Sequence, residues 1–149
     1  MNARSMKIID KSLLEEAYKI CLTAHSGQFD KGGSPYCYHP IRVSQKCYSL
    51  EAKIVALLHD VIEDTSISLG HLLSIFPDKI VVAVQAISKM KEEDYFEFIK
   101  RCSLNPIVRE VKIKDLEDNM DMSRLHVITE KDLKRLDKYK KSYDYLINL

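Results

Sequence analysis

Ile54-Val55-Ala56-Leu57-Leu58-His59-Asp60-Val61-Ile62-Glu63-Asp64 decides the reading of this chain. Its apolar residues leave little of a helix free to face water, so they predict a buried helix in which four ionisable side chains are embedded. At helical spacing His59 lies one turn from Glu63 and Asp60 one turn from Asp64, on adjoining strips of one surface. An unpaired buried carboxylate costs several kcal/mol, a large share of a domain's whole margin of stability. A divalent cation would offset that cost. The plainer alternative is a salt-bridged helix end, with Asp64, Thr65 and Ser66 capping the next turn.

Outward from this stretch, apolar residues recur at three- and four-residue intervals, and only four glycines and four prolines interrupt them. This predicts an all-α, single-domain helical bundle over residues 1–149. The first helix is expected to begin at Ser12, with Glu15 completing a capping box, and to stop near Gly27. Residues 27–40 hold three of the four glycines and two of the four prolines, marking one long loop. Helices are expected over 41–48, 51–63, 69–75, 78–89, 93–103, 106–121 and 131–147. Pro77 and Pro106 suit first-turn positions, and Thr129 with Asp132 caps the last helix.

A second polar intrusion lies in Val108-Arg-Glu-Val111-Lys-Ile-Lys-Asp115-Leu-Glu-Asp118-Asn119. Asp115 continues the apolar stripe of Val108 and Val111, and Asn119 follows one turn on. Glu117 and Asp121 fit a solvated face. The run lacks the alternating oxygen ligands, central Gly and final Glu of an EF-hand loop. His39 precedes Pro40, which disfavours helical geometry and is expected to leave the imidazole on the extended end of the loop. His25 suits a C-terminal cap, and His71 and His126 read as exposed. Together His39, His59, Asp60 and Asp115 form a mixed nitrogen and oxygen set suited to manganese, iron or zinc. Such an ion polarises a phosphoryl oxygen and lowers the pKa of a water, and Glu63 and Asp64 would orient that water and carry its proton.

Composition narrows the classes of function. Lys and Arg number 23 against 22 Asp and Glu, a net charge of +1 that gives no general attraction to nucleic acid or to an anionic membrane. The apolar runs 54–58 and 80–84 fall far short of the ~20 residues a membrane span needs. The N-terminus, Met-Asn-Ala-Arg-Ser-Met-Lys, carries no apolar leader, so a cytoplasmic location is expected. Cys21, Cys37, Cys47 and Cys102 form no CxxC pair and read as reduced, semi-buried thiols.

Four motifs in order carry a resemblance: Ala24-His25-Ser-Gly27-Gln28, Lys31-Gly-Gly33-Ser-Pro35-Tyr36-Cys-Tyr-His39-Pro40, Leu57-Leu-His59-Asp60-Val-Ile-Glu63-Asp64-Thr65 and Val111-Lys112-Ile-Lys-Asp115-Leu-Glu-Asp118-Asn119-Met120. The chain resembles the HD-domain hydrolases of the RelA/SpoT alarmone family, above all the single-domain small alarmone hydrolases. The resemblance implies a manganese-dependent enzyme of the stringent response that removes the 3′-pyrophosphate of ppGpp or pppGpp, giving GDP or GTP and pyrophosphate. It implies metal ligation by His39, His59, Asp60 and Asp115, catalysis by Glu63 and Asp64, and nucleotide contacts from Lys31 and Asn119. Lys112 and Arg124 flank Asp115 and Asn119 and are expected at the rim over the substrate phosphates, as are Lys89 and Lys91. Two positions depart from the pattern: Asp30 stands where many members are basic, and Asp118 where a histidine is usual. Both bear on substrate identity, so a phosphatase for another nucleotide, such as NADPH, stands as the alternative, and a non-catalytic nucleotide sensor as the third reading. On its length no synthetase domain is expected.

Overall fold

The structure, a computed structural model, describes residues 8–149; the N-terminal stretch from which the lack of a leader was read lies outside them. Nine helices make up the described chain: α1 (Lys11–Ala24), α2 (Tyr38–Lys46), α3 (Leu50–Leu58), α4 (Val61–Asp64), α5 (Leu69–Leu73), α6 (Asp78–Ile87), α7 (Tyr95–Cys102), α8 (Pro106–Met120) and α9 (Glu130–Ile147). The all-α expectation holds, and one isolated bridge, Phe29 to Pro35, is the extended pairing recorded among the described residues. None of these helices is long and apolar enough to cross a membrane.

Helix α3 is the centre. Ala52, Ile54, Val55, Ala56, Leu57 and Leu58 are all buried, so it is apolar on every side and α1, α2, α6 and α8 pack around it. Ser49 starts it by accepting from the Ala52 N–H at 3.1 Å. Helix α9 lies against α8 and is anchored at its far end, where Arg109 donates from Nε (3.0 Å) and Nη2 (2.8 Å) to the Leu146 carbonyl. Its start carries the expected capping box of Thr129 and Asp132. Cys21, Cys47 and Cys102 are buried and Cys37 half-buried, all as free thiols.

Several boundaries differ from those read in the sequence, each for a local reason. Helix α1 starts one residue earlier, because Asp10 rather than Ser12 is the N-cap, accepting from the Ser12 N–H at 3.0 Å and the Leu13 N–H at 3.4 Å. Pro77 sits at the N-cap of α6, just outside the first turn, whereas Pro106 does open α8 behind the Asn105 cap. Helix α2 begins three residues before the expected start and takes in both His39 and Pro40. Pro40 is the third residue of that helix, where the backbone N–H has no intrahelical acceptor, so its absence costs nothing. The expected helix over 51–63 is broken at His59-Asp60 into α3 and α4, with Asp60 at φ −103°, ψ 0°.

One arginine fastens the segment between α6 and α7. Arg101 donates from Nη1 to the Ala86 carbonyl (2.7 Å), from Nη2 to the Ser88 carbonyl (3.0 Å), and in fork geometry to both Glu93 oxygens at 3.0 and 2.9 Å. Its hydrogen bonds bring the Glu93 carboxyl down to about 2. A folded-state pKa depressed in this way stabilises the fold above the unfolded value and is lost as pH falls through the folded one. Arg101→Met should therefore lower unfolding free energy by about 2 kcal/mol at neutral pH. In urea titrations the gap between the two proteins should narrow as pH drops from about 4.3 toward 2; a gap that stays constant would show that Glu93 is not engaged.

Candidate functional site

Asp115, buried on α8, is the point where the helices meet. Its Oδ1 accepts from His39 Nε2 at 2.8 Å on α2 and from His59 Nε2 at 3.2 Å at the end of α3, and its Oδ2 accepts from Lys112 Nζ at 2.8 Å. Asn119 Nδ2 lies 3.4 Å from Oδ1. Burial alone would raise this carboxyl; the Lys112 ammonium and the bonds from both imidazoles hold it well below the carboxylate range. The ligand-capable atoms of His39, His59 and Asp115 all fall within 4.8 Å of one another. Asp60 comes in from the side, its Oδ2 3.0 Å from His59 Nε2 and 4.0 Å from His39 Nε2, and takes a further bond from the Tyr36 hydroxyl. Of the expected set, His39, His59 and Asp115 thus form one cluster, and Asp60 stands beside its two imidazoles.

Each imidazole is oriented from behind. His59 Nδ1 donates to the Ala56 carbonyl, the side-chain consequence of the helix break: the chain turns tightly there and the ring folds back onto the last turn of α3. His39 Nδ1 meets Asp118 Oδ2 at 2.6 Å. A carbonyl and a carboxylate only accept, so Nδ1 carries a proton in both rings and both Nε2 atoms face the cluster. Burial lowers the two imidazoles, but the neighbouring carboxylates prevail and raise both above the ordinary histidine value. The carboxylates around both rings thus favour their charged form over the neutral one.

His39 reaches this place from inside a helix, a correction to its expected position on an extended loop end. Residues 28–36 close on themselves: the Asp30 N–H donates to the Ser34 carbonyl at 2.9 Å, the Ser34 N–H to Asp30 Oδ1 at 3.0 Å, and the Tyr36 N–H to the Gln28 carbonyl at 2.9 Å. Gly33, at φ 88°, makes the turn. A side chain at Gly32 would strike the Arg124 carbonyl at 2.5 Å, so this loop lies directly on the segment after α8. Asp30, at the position where many members of the resembled family are basic, thus closes its own loop.

Beside the cluster a cavity of about 370 Å³ opens between this loop, α8 and α9. Lys31, Asn119 and Arg124 line it, as do Tyr36, His39 and Arg42. Its cations are already paired: Lys31 Nζ with Asp132 at 2.6 Å, Arg42 with Asp118 at 2.8 Å, Arg124 with Asp121 at 3.1 Å, and Arg135 near Asp132 at 3.8 Å. Lys112 is not at the rim. Its ammonium is buried on Asp115, 5.3 Å over the Phe98 ring, and the carboxylate keeps it protonated against desolvation. The sequence placed it beside Asp115 without showing which way it points, and i,i+3 spacing on α8 turns it inward.

Glu63 and Asp64 are exposed on α4, outside the lining of that cavity. Glu63 Oε1 accepts from the Lys89 N–H, and the Asp64 carbonyl accepts from Gln28 Nε2 at 3.0 Å. Partial desolvation and the Asp60 charge raise both carboxyls above their ordinary values. His25 caps α1 as expected and is buried, with Nδ1 3.0 Å from Gln28 Oε1 and its ring edge against Tyr36. The chain His25, Gln28, Asp64 thereby links α1 to α4. Sequence reading missed Arg42 and the burial of Asp118; charges at i and i+3 on α2 and α8, facing each other, were the available signal.

No family model matches the sequence. The chain is similar to a guanosine-3′,5′-bis(diphosphate) 3′-pyrophosphohydrolase of Aquifex aeolicus, 29% identical over 119 residues, which are 72% of this chain and 17% of that protein. It is 36% identical over 83 residues to the bifunctional (p)ppGpp synthase/hydrolase SpoT of Escherichia coli, 52% of this chain and 12% of that protein. The chain thus spans less than a fifth of the length of these relatives. A solved structure described as a metazoan ortholog of SpoT that hydrolyzes ppGpp superposes with a TM-score of 0.77 at 22% identity, covering 94% of this chain and 88% of that one. The fold is the one seen in that structure.

Because Lys112 is the buried counter-charge of Asp115, Lys112→Met should destabilise the protein by about 3 kcal/mol, the cost of stranding a buried charge. Lys31→Met, which removes a half-exposed ammonium from a carboxylate that keeps its bonds from Thr129, should cost far less. Equal midpoints for both variants in urea denaturation would show that the Lys112 to Asp115 pair is not what holds the cluster.

Proposed function

We propose that this chain is an HD-type, metal-dependent phosphohydrolase domain, with His39, His59, Asp60 and Asp115 holding one divalent cation, manganese, and with ppGpp or pppGpp as its substrate. The observation that carries the reading is the convergence of two imidazole Nε2 atoms and the Asp115 carboxylate in a buried cluster, with the Asp60 carboxylate beside it. Such a mixed nitrogen and oxygen donor set fits a borderline divalent ion. When bound, a cation of this kind supplies Lewis acidity to a phosphoryl oxygen and makes a water more acidic. The similarity to ppGpp pyrophosphohydrolases supports the substrate, and the adjoining cavity is of a size for part of a nucleotide.

The residues divide the work. Glu63 and Asp64, at raised pKa, take the proton of the attacking water and return it to the 3′-oxygen of the nucleotide as its bond to the diphosphate breaks, which yields pyrophosphate and GDP or GTP. Asn119 and Lys31 contact the nucleotide in the cavity, and Arg124 borders it. The partner is a small-molecule nucleotide rather than nucleic acid or membrane, in keeping with a net charge of +1, and the setting is the cytoplasm. Pairing of all four basic side chains around the cavity is the one feature that favours the second substrate class, a nucleotide phosphomonoester such as that of NADPH.

Manganese-loaded protein should release pyrophosphate from ppGpp and pppGpp. Glu63→Gln and Asp64→Asn should keep metal and fold while losing roughly a hundredfold in rate. Wild-type turnover in both amide variants would return these carboxylates to a capping role. Release of phosphate from NADPH with no pyrophosphate from ppGpp would replace the substrate.

A further inference from the structure

Helices α2 and α8 face each other through two pairs of residues at three-residue spacing, His39 and Arg42 on one, Asp115 and Asp118 on the other. The His39 ring is held between the two carboxylates, Nε2 to Asp115 Oδ1 at 2.8 Å and Nδ1 to Asp118 Oδ2 at 2.6 Å. Asp118 is 1% exposed. Arg42 grips it with two bonds, Nε to Oδ1 at 2.8 Å and Nη2 to Oδ2 at 3.0 Å. Arg124 Nη2 stands 3.4 Å from Oδ2 and Lys46 Nζ 3.8 Å from Oδ1. This carboxylate carries more partners than a surface ion pair needs, and it sits where the sequence pattern of the resemblance has a histidine.

We propose that the Arg42–Asp118 pair is a positioning device for His39: Asp118 fixes the Nδ1–H tautomer and ring plane and makes Nε2 a stronger donor toward a divalent cation, while Arg42 fixes Asp118. The inference rests on the reading of His39 as a metal ligand. Its physical basis is that a ligating histidine is oriented and made more basic by the acceptor behind it, and a carboxylate does this more strongly than a carbonyl. The two rings differ in that respect, since His59 has only the Ala56 carbonyl behind it. Arg42 lines the cavity and turns its Nε and one Nη2 donor onto Asp118, and the role proposed for it runs through that carboxylate to His39.

Two measurements on purified full-length protein test this. Titration with Mn²⁺, followed by the electron paramagnetic resonance of the free ion, should give one site in the wild type and at least tenfold weaker binding in Asp118→Ala. Asp118→Asn, which keeps shape and an acceptor but not the charge, should fall between them, as should Arg42→Gln. In Zn²⁺-loaded, ¹⁵N-labelled protein the His39 Nδ1–H should resonate far downfield, shift upfield in Asp118→Asn and vanish in Asp118→Ala, a signature that general loss of packing does not give. Should the alanine variant fail to fold, the asparagine and Arg42→Gln variants carry both readouts. Folded variants with wild-type Mn²⁺ affinity and an unmoved His39 signal overturn the positioning role. A wild type that binds no Mn²⁺ overturns the metal reading itself, and this one with it.

Discussion

The buried carboxylate of Asp115 is the constraint from which the rest of the structure follows. An ionised group at 3% exposure needs compensating charge on every side, and it receives it from His39, His59 and Lys112, supplied by α2, α3 and α8 itself. To deliver His59, α3 must run through the core and stop there, which explains both its all-round apolar surface and its break at Asp60. To deliver His39, the glycine-bearing loop must end in a first helical turn, which Pro40 allows at its third position. The bundle is thus arranged around a charge that no apolar core would tolerate without partners.

Much of this was legible in the sequence because helical periodicity and burial go together. The run 54–64 is too apolar to be a surface helix, and Asp115 falls on the stripe of Val108 and Val111, so both polar intrusions could be placed in the core before any coordinates. Capping chemistry placed the start of α9 at Thr129 for the same local reason. What was not legible depends on tertiary direction. Periodicity cannot see that α3 ends at His59, since Val61 and Ile62 continue the apolar pattern past the break. It cannot tell that Lys112 turns inward, because a lysine at i−3 from an aspartate reads equally well as a solvated pair. The rule that disfavours helix before proline misplaced His39, because a helix start tolerates what its interior does not.

The cavity beside the cluster shows a similar economy of charge. Lys31, Arg42, Arg124 and Arg135 surround it, each tied to an aspartate of this chain. On the proposed reading a polyphosphate arriving there would compete with Asp121 and Asp132 for those cations, so its recognition would be an exchange of partners and not the filling of an empty basic groove. Arg42 stands apart, since its aspartate also holds an imidazole of the central cluster. Asp30 takes no part in the exchange through its Oδ1, which is bound to the Ser34 N–H of its own loop. The two acidic positions that depart from the resemblance therefore have separate structural reasons.

The claim that this nest exists to hold a divalent cation is tested most directly by scanning calorimetry of the chelator-stripped protein with and without Mn²⁺. A site assembled only in the folded state couples binding to stability, so unfolding should move upward with metal concentration, by about 2.7 kcal/mol at a hundredfold excess over Kd. Asp115→Asn should abolish that dependence. A melting transition that stays in place from micromolar to millimolar Mn²⁺ in the wild type would mean that His39, His59, Asp60 and Asp115 form a closed salt-bridge network, complete without a metal.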